Sequence, residues 1–131
     1  MTLKRILIID DEPDILEVLS FILSSKGYEV LKARDGREAL NSLRTLTPDF
    51  IFLDLEMPVM NGHELCQHLK RDARLKKVPI VILTACSLSE RELEGLRKMQ
   101  VEGIVRKPFE LNEILSSIQQ YGGPGFCDSE A

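Results

Sequence analysis

A chain of 131 residues has room for one domain of ordinary size and little more. With 44% hydrophobic and 29% charged residues it has a globular mix, neither disordered nor membrane-spanning. A formal net charge of −4 with no basic stripe makes the chain a poor candidate for direct nucleic-acid binding, which relies on clustered Lys and Arg to neutralise phosphates.

Five short apolar runs alternate with five helical patterns. Ile6–Leu7–Ile8–Ile9 is continuous and branched, as a strand buried on both faces should be, and it is too short for a signal-peptide core or a membrane span. Ile15, Leu19, Ile22 and Leu23 form one helical face after Pro13, which suits a first turn, and Gly27 stops that helix. Tyr28 to Ala33 includes Glu29 and Lys32 and reads as an edge strand. Ala39, Leu40 and Leu43 mark a second helix, ended before Pro48. Phe50–Ile51–Phe52–Leu53 is another buried strand. Leu65 and Leu69 mark a third helix, with Asn61 as its cap and Glu64 reaching back. Ile80–Val81–Ile82–Leu83 follows, then Leu93 and Leu96 in a fourth helix with Ser89 and Glu92 at capping-box spacing. Ile104–Val105 is the last and shortest strand run. Leu111, Ile114, Leu115 and Ile118 stripe a fifth helix. Residues 122–131, beginning Gly-Gly-Pro-Gly, read as a flexible tail after a domain of residues 1–121.

Such alternation implies an α/β fold with a mostly parallel sheet, helices on both faces and right-handed crossovers. Strand one then runs into Asp10 and Asp11, strand three into Asp54, strand four into Thr84 and strand five into Lys107–Pro108. All fall on the carboxyl edge, where open α/β sheets bind ligands. Each has an ordinary reading alone: Asp10 and Asp11 as caps, Asp54 as a loop acid, Thr84 as a strand end, Lys107 as a solvated charge. Three carboxylates, a hydroxyl and an ammonium on one rim need several coincidences if they have no shared task. Crowded carboxylates need a proton or a cation, and Mg²⁺ accepts oxygen ligands while keeping some waters. Beside such an ion a carboxylate can act as nucleophile toward a phosphoryl group, with Lys107 and Thr84 positioned for its oxygens. His63 and His68 read as helix-surface residues, since imidazole suits Mg²⁺ poorly.

The segments Ile8–Ile9–Asp10–Asp11–Glu12–Pro13, Asp54 to Gly62, Thr84–Ala85 and Lys107–Pro108–Phe109 match, in order and spacing, the signatures of a known family. From Leu3 to about Gln120 the chain resembles the receiver domains of response regulators. The resemblance implies a flavodoxin-like three-layer (βα)5 fold with strand order 2-1-3-4-5. It implies Asp54 as phosphoacceptor, Asp11 and Asp54 as direct Mg²⁺ ligands, Asp10 acting through water, and the Glu56 main-chain carbonyl completing the metal site. Thr84 would bind the phosphoryl group, Lys107 would pair with it, and Lys107–Pro108 would be cis. The implied donor is a histidine kinase or a histidine phosphotransfer protein. The domain would assist its own phosphorylation and slow dephosphorylation without being an enzyme in the usual sense. The phosphoryl group would then shift the face formed by helix four, strand five and helix five toward a downstream partner, as a monomer or a phosphorylation-dependent dimer. Glu56 and Cys86, each two residues past a site residue, would border the path of the attacking water and set the phosphoryl lifetime.

Two positions depart from the family pattern. Ile104 stands where many relatives place an aromatic residue that moves with the hydroxyl. Gln100 and Val101 replace the usual Gly–Ala before strand five. The missing aromatic leaves a phosphorylation-independent interaction module on the same fold as the alternative. A Mg²⁺-dependent aspartyl phosphohydrolase, with Glu56 as its acid, lacks a cap insertion to enclose substrate. The flavin-binding variant of the fold lacks a phosphate loop after strand one. Cys66, Cys86 and Cys127 form no C-x-x-C pair, so free thiols and a cytoplasmic location are expected.

Overall fold

The structure, a computed structural model, describes residues 4–57, 60–85 and 87–122. Cys86, Cys127 and the tail beyond Gly122 lie outside the described residues. Strands β1 (Arg5–Ile9), β2 (Glu29–Ala33), β3 (Phe50–Asp54), β4 (Ile80–Thr84) and β5 (Gly103–Arg106) alternate with helices α1 (Pro13–Ser25), α2 (Gly36–Ser42), α3 (Gly62–Arg71), α4 (Glu90–Lys98) and α5 (Leu111–Tyr121). The five strands pair in parallel in the order β2-β1-β3-β4-β5. β3 and β4 are buried along their whole length, which explains their unbroken apolar sequence. β2 and β5 are the edges, and their exposed Lys32 and Ile104 show it.

Because strand side chains alternate, the sheet builds two cores. Leu7, Ile9, Ile51, Leu53, Ile80 and Ile82 pack with Ala39, Leu65, Leu69 and Leu96 from α2, α3 and α4. Ile6, Ile8, Phe50, Phe52, Val81 and Leu83 pack with Leu16, Leu19, Leu23, Ile114 and Ile118 from α1 and α5. Full burial of each such side chain contributes roughly 1.5–3 kcal/mol relative to exposure.

The anticipated caps form. Asn61 and Ser89 each accept the amide of the glutamate three residues on, Glu64 and Glu92, and those carboxylates accept the cap amides in return. Two boundaries shift from the sequence reading. β2 starts at Glu29, not Tyr28, because the Tyr28 amide donates to Leu23 O and closes the end of α1. β5 extends one residue each way, to Gly103 and Arg106, by its ladder with β4. Gly62 lets α3 begin against the end of β3: a Cβ there would lie 2.6 Å from Asp54 O.

Candidate functional site

Ladder hydrogen bonds continue past the strand ends and set the rim. The Asp10 amide donates to Ala33 O at 3.0 Å, and the Leu55 amide to Leu83 O at 3.1 Å. The Lys107 amide donates to Thr84 O at 2.8 Å, which brings the last strand's lysine beside the fourth strand's threonine. Since β1 and β3 are neighbours with β2 on the outside, Asp10 and Asp54 emerge side by side at the point where strand order reverses. The peptide bond Lys107–Pro108 is cis.

Asp10, Asp54 and Thr84 are buried, whereas Asp11 and Glu56 are exposed. Carboxylate oxygens of Asp10, Asp11 and Asp54 lie within 4.8 Å of one another. The Lys107 ammonium sits 2.8 Å from Asp10 Oδ2 and 3.5 Å from Asp54 Oδ2. Its side chain is only 10% exposed. Asp10 Oδ1 accepts the Glu12 amide at 2.9 Å, so the helix-entry role available to an acid here coexists with the site. Asp10 Oδ2 is buried and, beyond its ion pair with Lys107, accepts no well-directed hydrogen bond among the described residues. Asp54 Oδ1 accepts the Glu56 amide at 3.1 Å.

This arrangement strains the acids. Burial, then the neighbouring Asp10 charge, pushes the Asp54 carboxyl up to about 7, against the opposing pull of Lys107. Burial also raises Asp10, with Lys107 again opposing. For Lys107 burial favours the neutral amine, but the close carboxylates of Asp10 and Glu12, and the charge of Asp54, prevail and raise its pKa. One ammonium thus faces more carboxylate charge than it can neutralise. An all-oxygen donor set with an under-used buried oxygen fits a hard divalent cation such as Mg²⁺.

Two contacts were not anticipated. Glu12 reaches Lys107 Nζ at 2.6 Å across 95 residues of sequence; its only local signal was membership of the acidic run Asp10–Asp11–Glu12. Glu56 turns its side chain onto the fourth strand. Its carboxylate accepts the Thr84 hydroxyl at 2.8 Å and the Ala85 amide at 3.3 Å.

The family model for the response regulator receiver domain matches residues 6–119. The chain belongs to this family. A curated relative, the DNA-binding dual master transcriptional regulator RpaA of a Synechocystis strain, is 36% identical over 89% of this chain and 48% of its own length. The chain spans about half the length of the curated relatives it matches. Among solved structures, the Vibrio cholerae chemotaxis protein CheY4 superposes with a TM-score of 0.85 at 32% identity, covering 92% of this chain and 99% of CheY4. The Thermotoga maritima response regulator TrrA, solved in complex with Mg²⁺-BeF, has a TM-score of 0.78 at 33% identity, covering 91% of this chain and 99% of that one. The receiver fold implied by the sequence is therefore the fold observed, with strand order 2-1-3-4-5. No helix among the described residues is long and apolar enough to cross a membrane.

Proposed function

We propose that Asp54 accepts a phosphoryl group from the phosphohistidine of a histidine kinase or phosphotransfer protein, with Mg²⁺ held at the same rim. The observation that carries this is the buried pair Asp10 and Asp54 against Lys107, with one Asp10 oxygen lacking a good hydrogen bond. Asp11 and Asp54 would hold the ion directly, Asp10 through water, and the Glu56 carbonyl would complete the set. The ion supplies positive charge for the oxygens of the transferring group. The relative solved with Mg²⁺-BeF supports this assignment.

Transfer forms a bond from an Asp54 carboxylate oxygen to phosphorus and breaks the phosphorus–nitrogen bond, whose electron pair stays on the donor imidazole. Lys107, already fixed 3.5 Å from Asp54, pairs with the oxygens of the incoming group. Thr84 donates its hydroxyl to one of those oxygens after leaving Glu56. Hydrolysis of the acyl phosphate later restores Asp54, with Glu56 at the edge of the water path. The domain of residues 1–121 assists only these two steps on itself.

The output is a population shift. When Thr84 moves, the connection to α4 follows, and the face of α4, β5 and α5 changes its affinity for a downstream partner. Ile104, exposed on β5, replaces the aromatic of many relatives, so the hydroxyl carries the switch here. We place the protein in the cytoplasm, where its phosphodonor would act. Any effect on DNA would pass through a partner or a further domain.

Incubation with Mg²⁺ and acetyl phosphate tests the proposal. The mass of one phosphoryl group is expected on the wild type and not on Asp54→Asn. No gain, or an equal gain on Asp54→Asn, would favour the phosphorylation-independent module.

A further inference from the structure

At the opposite end of the sheet from the acidic rim lies a cavity of about 690 Å³. Lys70 and Arg71 from the end of α3, Lys76 and Lys77 from the following turn, and Lys98 from the end of α4 line it, with Gln67, Met99 and Gln100. Among the described residues no acid lines it, on a chain whose formal net charge is −4. Among the described residues, none of the five cations forms an ion pair. Lys70 instead spans the wall, donating to Gln100 O at 3.2 Å and Lys76 O at 3.4 Å.

Helix-dipole compensation explains cations in the last turns of α3 and α4. It does not explain Lys76 and Lys77, which belong to no helix. Nor does it explain Gln100, which has a φ of 62°. α1 and α4 end in the same hydrogen-bonded turn, Tyr28 N to Leu23 O with Gly27 N to Ser24 O, and Val101 N to Leu96 O with Gln100 N to Arg97 O. In α1 the left-handed position is Gly27, with a φ of 98°. In α4 a glutamine accepts the steric penalty of that conformation and lines the cavity.

We infer that the basic cavity between the ends of α3 and α4 binds a compact oligophosphate, the di- or triphosphate group of a nucleotide or a short inorganic chain. Four lysines and one arginine around one hollow match densely charged phosphoryl oxygens, and the two glutamine amides can donate between them. The volume is that of a small-ligand site. A peptide would need apolar anchors, and among the described lining residues only Met99 offers one. Duplex nucleic acid would need a long stripe of cations, whereas these are gathered in one open hollow. This inference does not depend on phosphorylation of Asp54.

The test is a two-dimensional NMR titration of the full chain with sodium tripolyphosphate in metal-free, low-salt buffer. Saturable shifts are expected at the side-chain amides of Gln67 and Gln100, with the Glu12 and Glu56 amides unmoved. Lys76→Gln/Lys77→Gln/Lys98→Gln should weaken binding about ten-fold or more. Gln100→Gly should also weaken it, although its melting temperature should not fall, since glycine relaxes the turn. Tighter binding of ATP than of tripolyphosphate would support the site and assign a nucleotide; equal binding would support it and assign the inorganic chain. Absence of saturable shifts, shifts at the rim instead, undiminished affinity in either variant, or equal or tighter binding of an oligoglutamate peptide would overturn it.

Discussion

The Glu56 carboxylate holds the Thr84 hydroxyl at 2.8 Å, and so engages the donor that a phosphoryl group on Asp54 would require. The same carboxylate would lie near the incoming phosphoryl charge. A hydrogen bond to a charged group contributes about 1.5–3 kcal/mol, less where solvent competes. Glu56→Ala should therefore bind beryllofluoride with Mg²⁺ roughly ten-fold more tightly than wild type, reflecting about 1.4 kcal/mol. Fluorine NMR or calorimetry would measure this; unchanged affinity would show that the contact does not oppose activation.

Metal-free stability should depend on Asp54. Its folded pKa of about 7 lies above the ordinary 3.8, so between these values the folded chain binds more proton than the unfolded chain. Stability then falls as pH rises through that window and levels off above it, and Asp10 is displaced in the same direction. Urea unfolding in metal-free buffer should show Asp54→Asn more stable than wild type by about 2 kcal/mol or more near pH 8, and nearly equal near pH 4. A wild-type profile that rises through the window would refute the buried-acid account.

Lys107→Met removes the ammonium facing Asp10 and Asp54. Breaking a buried pair typically costs about 3–5 kcal/mol because the remaining charge lacks a partner. Near neutral pH and above, a loss of about 3 kcal/mol is expected without metal. Near pH 5 the loss should shrink as the acids take up protons. A cost independent of pH would point to lost packing of the lysine stem instead.

Magnesium should stabilise the fold by about 2.7 kcal/mol at a concentration 100 times its Kd. Asp11 serves as the control because the residue is exposed and its contact with Asp54 is a minor influence on that acid. Asp11→Ala should leave metal-free stability within about 0.5 kcal/mol of wild type, yet remove most of the shift on adding Mg²⁺. A full shift in that variant would take Asp11 out of the metal site.

Much of this was legible because the relevant signals are local. Continuous runs at Ile6, Phe50 and Ile80 marked the central strands, and Asn61–Glu64 and Ser89–Glu92 marked helix starts. The rim itself followed from strand ends in a parallel sheet. The Asp35 cap of α2, which accepts the Glu38 amide at 2.8 Å, carries the same spacing signal. The contacts of Glu12 with Lys107 and of Glu56 with Thr84 join residues far apart in sequence, where no spacing rule operates. The basic cavity escaped for the same reason, since separate segments converge on it only in the folded chain.

The phosphodonor itself should be recognised on α1. That helix starts at Pro13, two residues after Asp11, and exposes Val18 by 54% and Phe21 by 77% on one face. Phe21 lies eight residues into the helix, about 12 Å along its axis from the rim. A protein presenting its imidazole to Asp54 would cover this distance easily. An aromatic anchor truncated at an interface typically costs about 2 kcal/mol or more. Phe21→Ala should thus lower kcat/KM for transfer from a cognate phosphohistidine protein by about ten-fold or more. Phosphorylation by acetyl phosphate, which needs no docking surface, should be unchanged. Equal losses with both donors would place the defect in the rim, and no loss with either would leave α1 outside the docking surface.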